Sequence, residues 1–270
     1  MTAADKRKPP GDLHPPVCSA NEKVLGVRFF NGVAADAVDQ LALTGGYMVV
    51  PASPALIKLK YDEDYRRALQ NADLALADSG LLVVLWRIAT GHKLRKVSGI
   101  AYLKCLLERD NIRAAGNSFW VVSSDDAKNK AIEWFRSRDV HITSEDFHVT
   151  ARRRDSAEDH ALLFQIEKQR PGHIVIALGA GTQEKLALYL REYLVYRPNI
   201  HCVGAALGFL TGYERPIPEW AEHHNLGWLF RLLSQPRMFF PRLGIAYVLA
   251  KMVFKYRSEL PRLQDRWVDL

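Results

Sequence analysis

The chain has 270 residues, of which 48% are hydrophobic, and carries a formal net charge of +7 at pH 7. This length and apolar content suffice for a large core, which indicates a globular protein. The three cysteines are far apart and form no CxxC pair, which argues against a disulfide framework or a zinc site and favours a reducing compartment. The closest approach to a membrane span, residues 243–254, is shorter than the roughly 18 residues required and contains Lys251.

The N-terminal residues 1–22 are predicted to be a flexible tail, because they are polar and rich in proline. They lack the apolar stretch of a signal peptide, so export by that route is not expected.

Short apolar runs then alternate with helical patterns, which predicts buried strands at residues 47–50, 73–77, 118–123 and 173–179. The cluster Ser123 to Asp126 is typical of a helix start, and Thr182-Gln183-Glu184 opens another helix in the same way. This alternation is typical of an α/β fold with a mostly parallel sheet covered by helices. Beyond about residue 210 the pattern becomes helical and punctuated by proline. We therefore predict a core over 23–210 and a helical appendage over 211–270.

The predicted appendage is both basic and aromatic. Between Trp228 and Ser258 there are six basic residues and no acidic one, with aromatic residues interleaved. Such a surface suits an anionic membrane or a lipid-linked phosphate better than duplex nucleic acid. An ordinary amphipathic helix with a solvated basic face is the alternative.

Asp78 stands at the end of a predicted strand, between the apolar runs 74–77 and 81–88. In a parallel sheet, ligands bind outside the carboxyl ends of the strands. A carboxylate there could deprotonate a hydroxyl group, and apolar flanks could raise its pKa. The alternative is that Asp78 caps a helix over 79–89.

Two other motifs are weaker. The segment HIVIALGAGTQEK places two glycines between a strand and a helix, but Glu184 occupies the third glycine position of a dinucleotide fingerprint, so a nicotinamide enzyme is a minor alternative. The segment YDEDY at 61–65 mimics a metal-binding DxD motif, yet its acidic residues precede a helical pattern and are interpreted as caps. His223-His224 is interpreted as surface, and no metal site is predicted.

Three stretches together resemble one enzyme family. The first runs from Asn71 to Gly99 and includes Asp78 without a gap; the second is ALGAGTQEK at 177–185; the third runs from Val203 to Arg242. In this order they are similar to the WecG/TagA/CpsF glycosyltransferases over about residues 24–245. Matching positions are Asn71, Asp73, Asp78, Arg87, Lys96, Val97, Ser98, Gly99, Gly179, Gln183, Glu184, Lys185, Gly204, Gly212, Pro218, Trp220, Leu226, Trp228, Arg231, Pro236 and Arg242.

The resemblance implies a Rossmann-like, inverting, metal-independent transferase without a cofactor. Such enzymes move a sugar, often an N-acetylhexosamine, from a UDP-sugar to a polyprenyl-pyrophosphate-linked saccharide in making a bacterial surface polysaccharide or wall polymer. The resemblance further implies a cytoplasmic protein held peripherally at the inner face of the plasma membrane. The basic and aromatic pattern of the appendage leads us to expect no nucleic-acid partner. A homo-oligomer is compatible with it.

For this reaction we expect Asp78 to act as the general base. Residues expected to bind the donor nucleotide are Gly179, Gln183, Glu184, Lys185, Gly204 and Gly212. Residues expected to contact substrate or phosphate are Ser53, Arg87, Ser98, Arg215, Arg231, Arg237 and Arg242.

The sequence departs from the family pattern beside these residues. The family's aspartate is followed by glycine, where this chain has Ser79, and a Thr-x-Asn motif is replaced by Val50 and Ala52, which leaves Ser53 as the nearby hydroxyl. The departures keep a second interpretation open, a non-catalytic UDP-sugar-binding or scaffolding subunit of a polysaccharide assembly complex.

Overall fold

The computed structural model describes residues 21–150, 159–214 and 236–264, with the backbone alone over 236–243. Within these residues the strands form one eight-stranded sheet with the order β1-β2-β4-β3-β8-β7-β5-β6. The strands are β1 (Glu22–Val24), β2 (Val27–Phe29), β3 (Gly46–Val49), β4 (Leu74–Ala75), β5 (Ser118–Val122), β6 (Phe147–Val149), β7 (His173–Ala177) and β8 (Asn199–Cys202). The pair β1–β2 is antiparallel and the other neighbours are parallel.

Helices connect the strands. They are α1 (Ala34–Thr44), α2 (Ser53–Leu56), α3 (Glu63–Gln70), α4 (Gly80–Thr90), α5 (Gly99–Leu107), α6 (Asp110–Arg113), α7 (Asp125–Arg136), α8 (His160–Gln169), α9 (Thr182–Tyr193), α10 (Ala206–Thr211) and α11 (Pro236–Tyr256). Short 3-10 turns occur at Ile57–Lys60 and Ser144–Asp146.

Alternate strand residues face two apolar layers, as the two-residue period of a strand requires. On β3, Tyr47 and Val49 belong to one apolar layer, whereas Met48 on the opposite face belongs to the other. The first layer includes side chains of α2, α3, α4, α8, α9 and α11, and the second includes side chains of α1, α5, α6, α7 and α10. Because both faces are covered, the central strands are almost continuously apolar. The four predicted strands and the α/β architecture are thus confirmed.

The C-terminal helix α11 belongs to the same core as the sheet. Its residues Leu249, Met252 and Val253 are buried with side chains of α2 and α4. The segment after it binds the β1–β2 turn, since Leu25 N donates to Arg257 O over 2.7 Å. The boundary predicted at 210–211 therefore separates segments of the chain that share one core.

Among the described residues, every helix is too short or too polar to span a lipid bilayer. The predicted tail, apart from its last two residues, and the pair His223-His224 lie outside the described residues.

Candidate functional site

Asp78 is exposed at the carboxyl end of β4. The parallel pairing with β3 extends past the strand, because Leu76 N donates to Val49 O over 2.9 Å. Helix α4 begins two residues after Asp78, and its N-cap is Ser79, whose Oγ accepts a hydrogen bond from Leu82 N over 3.3 Å. The helix predicted at 79–89 is therefore confirmed, and the interpretation of Asp78 as its cap is wrong.

Ser98 is brought to the same strand end. The preceding residue, Val97, donates its N–H to Ala77 O over 3.0 Å, directly beside Asp78. Ser98 caps α5 by accepting from Ala101 N over 3.1 Å. A Cβ at Gly99 would lie 3.2 Å from the Val203 carbonyl oxygen, so the start of α5 is packed closely against the end of β8.

Ser53 joins this cluster from the neighbouring strand. It is the first residue of α2, after the end of β3, and is only 8% exposed. Its hydroxyl donates a hydrogen bond to Ser79 Oγ. The structure thus gathers Asp78, Ser53 and Ser98 at the carboxyl ends of β4 and β3.

The turn between β7 and α9 lies at the same edge of the sheet. Gly181 has a φ of +96° and donates its N–H to Glu184 Oε2 over 2.6 Å. Burial raises the pKa of the Glu184 carboxyl above its usual value, and the Gly181 hydrogen bond opposes this rise. Glu184 is fully buried and therefore shapes the turn from within.

Gln183 links this turn to the end of β8. Its Oε1 accepts a hydrogen bond from Gly204 N over 2.9 Å, and its Nε2 donates to Glu184 Oε1 over 3.2 Å. The residue is 1% exposed. These contacts hold two neighbouring turns together, while contact of Gln183 with a sugar stays a prediction.

The remaining predicted residues are more scattered. Lys185 pairs with Asp62 over 2.8 Å, Arg87 is exposed in the last turn of α4, and Gly212 ends α10. Arg215 and Arg231 lie outside the described residues. Arg237 and Arg242 belong to α11, where the described part is the backbone. The donor contacts predicted for Lys185 and Gly212, and the substrate or phosphate contacts predicted for the arginines, therefore stay predictions.

The DxD-like segment serves as a helix start. Asp62 is the N-cap of α3 and accepts a hydrogen bond from Tyr65 N over 3.0 Å, which confirms the capping interpretation. Across the described ranges, no group of three or more His, Cys, Asp or Glu side chains is arranged to hold a metal ion.

Lys58, which the sequence motifs did not indicate, adds a positive charge beside the turn between β7 and α9. Its Nζ donates to Ala180 O over 3.4 Å, and a side chain at Gly181 would collide with it. A lysine within the apolar run PALIKLK was a signal in the sequence. Lys58 reaches Ala180, 122 residues further along the chain, because β3 and β7 are both neighbours of β8 in the sheet. The sequence does not show this strand order.

The comparison with known families agrees with this arrangement. The family model described as "Glycosyl transferase WecG/TagA/CpsF family" matches residues 22–264, which is most of the chain. These enzymes transfer a sugar from a donor to an acceptor in the synthesis of cell-surface polysaccharides. With this match over both the sheet and α11, the chain belongs to the WecG/TagA/CpsF family of glycosyltransferases.

Proposed function

We propose that this glycosyltransferase moves a sugar, such as an N-acetylhexosamine, from a UDP-sugar to a polyprenyl-pyrophosphate-linked saccharide, with inversion and with Asp78 as general base. The observation that carries the proposal is the placement of Asp78. It is an exposed carboxylate at the carboxyl end of a parallel strand, and it is not the cap of the helix that follows.

The reaction is a direct displacement. Asp78 takes the proton of the acceptor hydroxyl while that oxygen attacks the anomeric carbon of the donor. The bond from this carbon to the UDP oxygen breaks on the opposite face, and its electron pair leaves with UDP. Proton removal by a positioned base contributes on the order of 100- to 10,000-fold in rate.

The departing diphosphate requires positive charge or hydrogen-bond donors, and the chain offers both at this edge. The turn at 179–181 leads into α9, and the dipole of this helix favours an anion near its N-terminal end. Lys58 Nζ lies against the same turn, at Ala180. In this proposal the donor nucleotide lies over the turns at Gly179 and Gly204, and arginines of the C-terminal region complete the phosphate contacts.

Helix α11 supports a peripheral position on an anionic membrane surface. Its buried face contains Leu249 and Val253, whereas Tyr247, Lys251 and Phe254 are exposed on the other side. Lys251 Nζ lies 5.0 Å from the ring centre of Tyr247. Such a mixture of aromatic and cationic side chains suits the boundary between headgroups and acyl chains.

The decisive test is Asp78→Asn, assayed as UDP release from a panel of UDP-sugars in the presence of membrane extract. We expect turnover to fall by about 100-fold or more, because the amide cannot accept the proton. Thermal stabilisation by UDP should be unchanged. Asp64→Asn is the matched control, since Asp64 is exposed in the first turn of α3 and should be dispensable.

Turnover near the wild-type rate in Asp78→Asn would remove the general-base assignment. A wild-type protein that is stabilised by a UDP-sugar but releases no UDP with any extract would instead support the non-catalytic binding subunit.

A further inference from the structure

The residue after Asp78 makes a contact that a glycine could not make. Ser79 Oγ accepts a hydrogen bond from the Ser53 hydroxyl and another from Leu82 N. Ser79 itself is half-buried, at the point where β4 gives way to α4. The departure from the family pattern at position 79 therefore places a hydroxyl group beside the proposed base.

The direction of these hydrogen bonds follows from what each group must satisfy. Ser53 is 8% exposed and has to place its proton on an acceptor, and the contact that the described residues give it is Ser79 Oγ. The backbone N–H of Leu82 can only donate. Ser79 Oγ therefore accepts twice.

A hydroxyl oxygen offers two acceptor positions and one donor. Both acceptor positions of the Ser79 hydroxyl are taken, so the hydroxyl can still donate one hydrogen bond through its own proton. Around the tetrahedral oxygen this proton points away from Ser53 and from the first turn of α4. Ser79 is half-buried rather than buried, so part of the residue is accessible to a ligand.

We propose that Ser79 is a specificity-determining residue whose hydroxyl donates a hydrogen bond to an oxygen of the acceptor sugar, next to the hydroxyl that Asp78 deprotonates. Ser53 is the positioning residue that orients the Ser79 proton. This inference rests on the proposed function of Asp78.

The test is steady-state UDP release by the full chain at saturating UDP-sugar, with the membrane extract titrated as the source of acceptor. We expect Ser79→Ala to raise the apparent KM for the extract about tenfold, since one hydrogen bond to the bound sugar is lost. The kcat should stay within about twofold of wild type, because the bond is made equally before and in the transition state. Ser79→Thr, which keeps the hydroxyl, should restore the KM to within about threefold.

Two further variants separate this role from helix capping. Ser124→Ala removes the same kind of cap from α7, where Ser124 Oγ accepts from Ala127 N over 3.2 Å. It should lower the melting temperature as Ser79→Ala does, yet leave the KM unchanged. Ser53→Ala keeps the α4 cap and should raise the KM about threefold, and it decides the question if Ser79→Ala does not fold.

A wild-type KM in folded Ser79→Ala, or in Ser53→Ala where Ser79→Ala does not fold, would overturn the inference. If the KM is unchanged in this way while Asp78→Asn is inactive in the same assay, only the proposed role of Ser79 is contradicted. Full activity of Asp78→Asn would instead remove the proposed function on which this inference rests.

Discussion

Lys58 shows how a single residue can enter the site from outside the motifs. Its ammonium group lies against Ala180 O, 5.9 Å from the ring centre of Tyr65, and near the buried Glu184 carboxyl. Held in this way, it loses little side-chain entropy when an anion binds. We therefore expect Lys58 to contact the donor diphosphate.

Replacing Lys58 with Met should raise the KM for the UDP-sugar at least about tenfold, because a hydrogen bond to a charged group contributes more than a neutral one. The thermal stabilisation produced by UDP should shrink in parallel. Lys60→Met is the control, since Lys60 lies in the same 3-10 turn and its described hydrogen bond uses the backbone carbonyl. An equal change of KM in both variants would indicate a general loss of charge.

For individual residues, the sequence predicted the strand-end position of Asp78 but not the contacts of the side chains around it. Asp78 and Ser79 are adjacent and both are good helix caps, so the pattern could not distinguish them. The φ and ψ of Ser79, −87° and 116°, make it the cap. Gln183 and Glu184 are polar residues at a helix start, and only the tertiary packing shows that they are buried.

Among the elements, the sequence predicted the strands whose residues are continuously apolar and missed β1, β2, β6 and β8. The strands β1, β2 and β6 have three residues each, too few for a periodic pattern. Strand β8 reads Asn-Ile-His-Cys, which does not resemble a buried strand. It is buried because it lies between β3 and β7 in the sheet. Its His201 is satisfied there, since Nδ1 lies 2.8 Å from Tyr102 Oη and Nε2 lies 3.1 Å from His173 Nδ1.

The basic residues of helix α11 should contribute to binding of an anionic membrane. The double variant Lys251→Glu/Lys255→Glu should lower binding to vesicles that contain phosphatidylglycerol more than tenfold, because each basic residue near an anionic surface contributes about 1 kcal/mol. Co-sedimentation at two salt concentrations measures this, and wild-type binding should weaken with salt.

The control for α11 is Lys104→Glu/Lys168→Glu, which changes the net charge equally on exposed residues of α5 and α8. If both double variants lose the same affinity, the whole charge of the protein and not α11 drives the binding.

The whole molecule should lose stability in mild acid because it buries two neutral histidines. Burial lowers the pKa of both His173 and His201 below the ordinary value of 6.5, and the neighbouring His173 lowers that of His201 further. The unfolded chain then binds more protons than the folded one below about pH 6.5. The free energy of unfolding is therefore highest above this pH and falls as the pH decreases below it.

Urea unfolding at pH 7.5 and at pH 5.5 measures this effect. The decrease in the free energy of unfolding from pH 7.5 to pH 5.5 should be smaller in His201→Gln, because this variant removes one of the two buried imidazoles. If the free energy of unfolding of His201→Gln decreases as much as that of the wild type, groups other than His201 cause the acid sensitivity.

The contact of Arg257 and Ser258 with the β1–β2 turn also bears on how the chain folds as it is made. Leu25 N and Gly26 N bind the carbonyl oxygens of these two residues, and the apolar side chains of α11 complete the layer over α2 and α4. Leu25 and Gly26 are synthesised more than 200 residues before Arg257 and Ser258. Domains generally fold as units, so the first pair has to wait for the second. We therefore expect the nascent chain to keep apolar surface of α2 and α4 exposed until residue 258 has emerged, and to depend on chaperones during that interval.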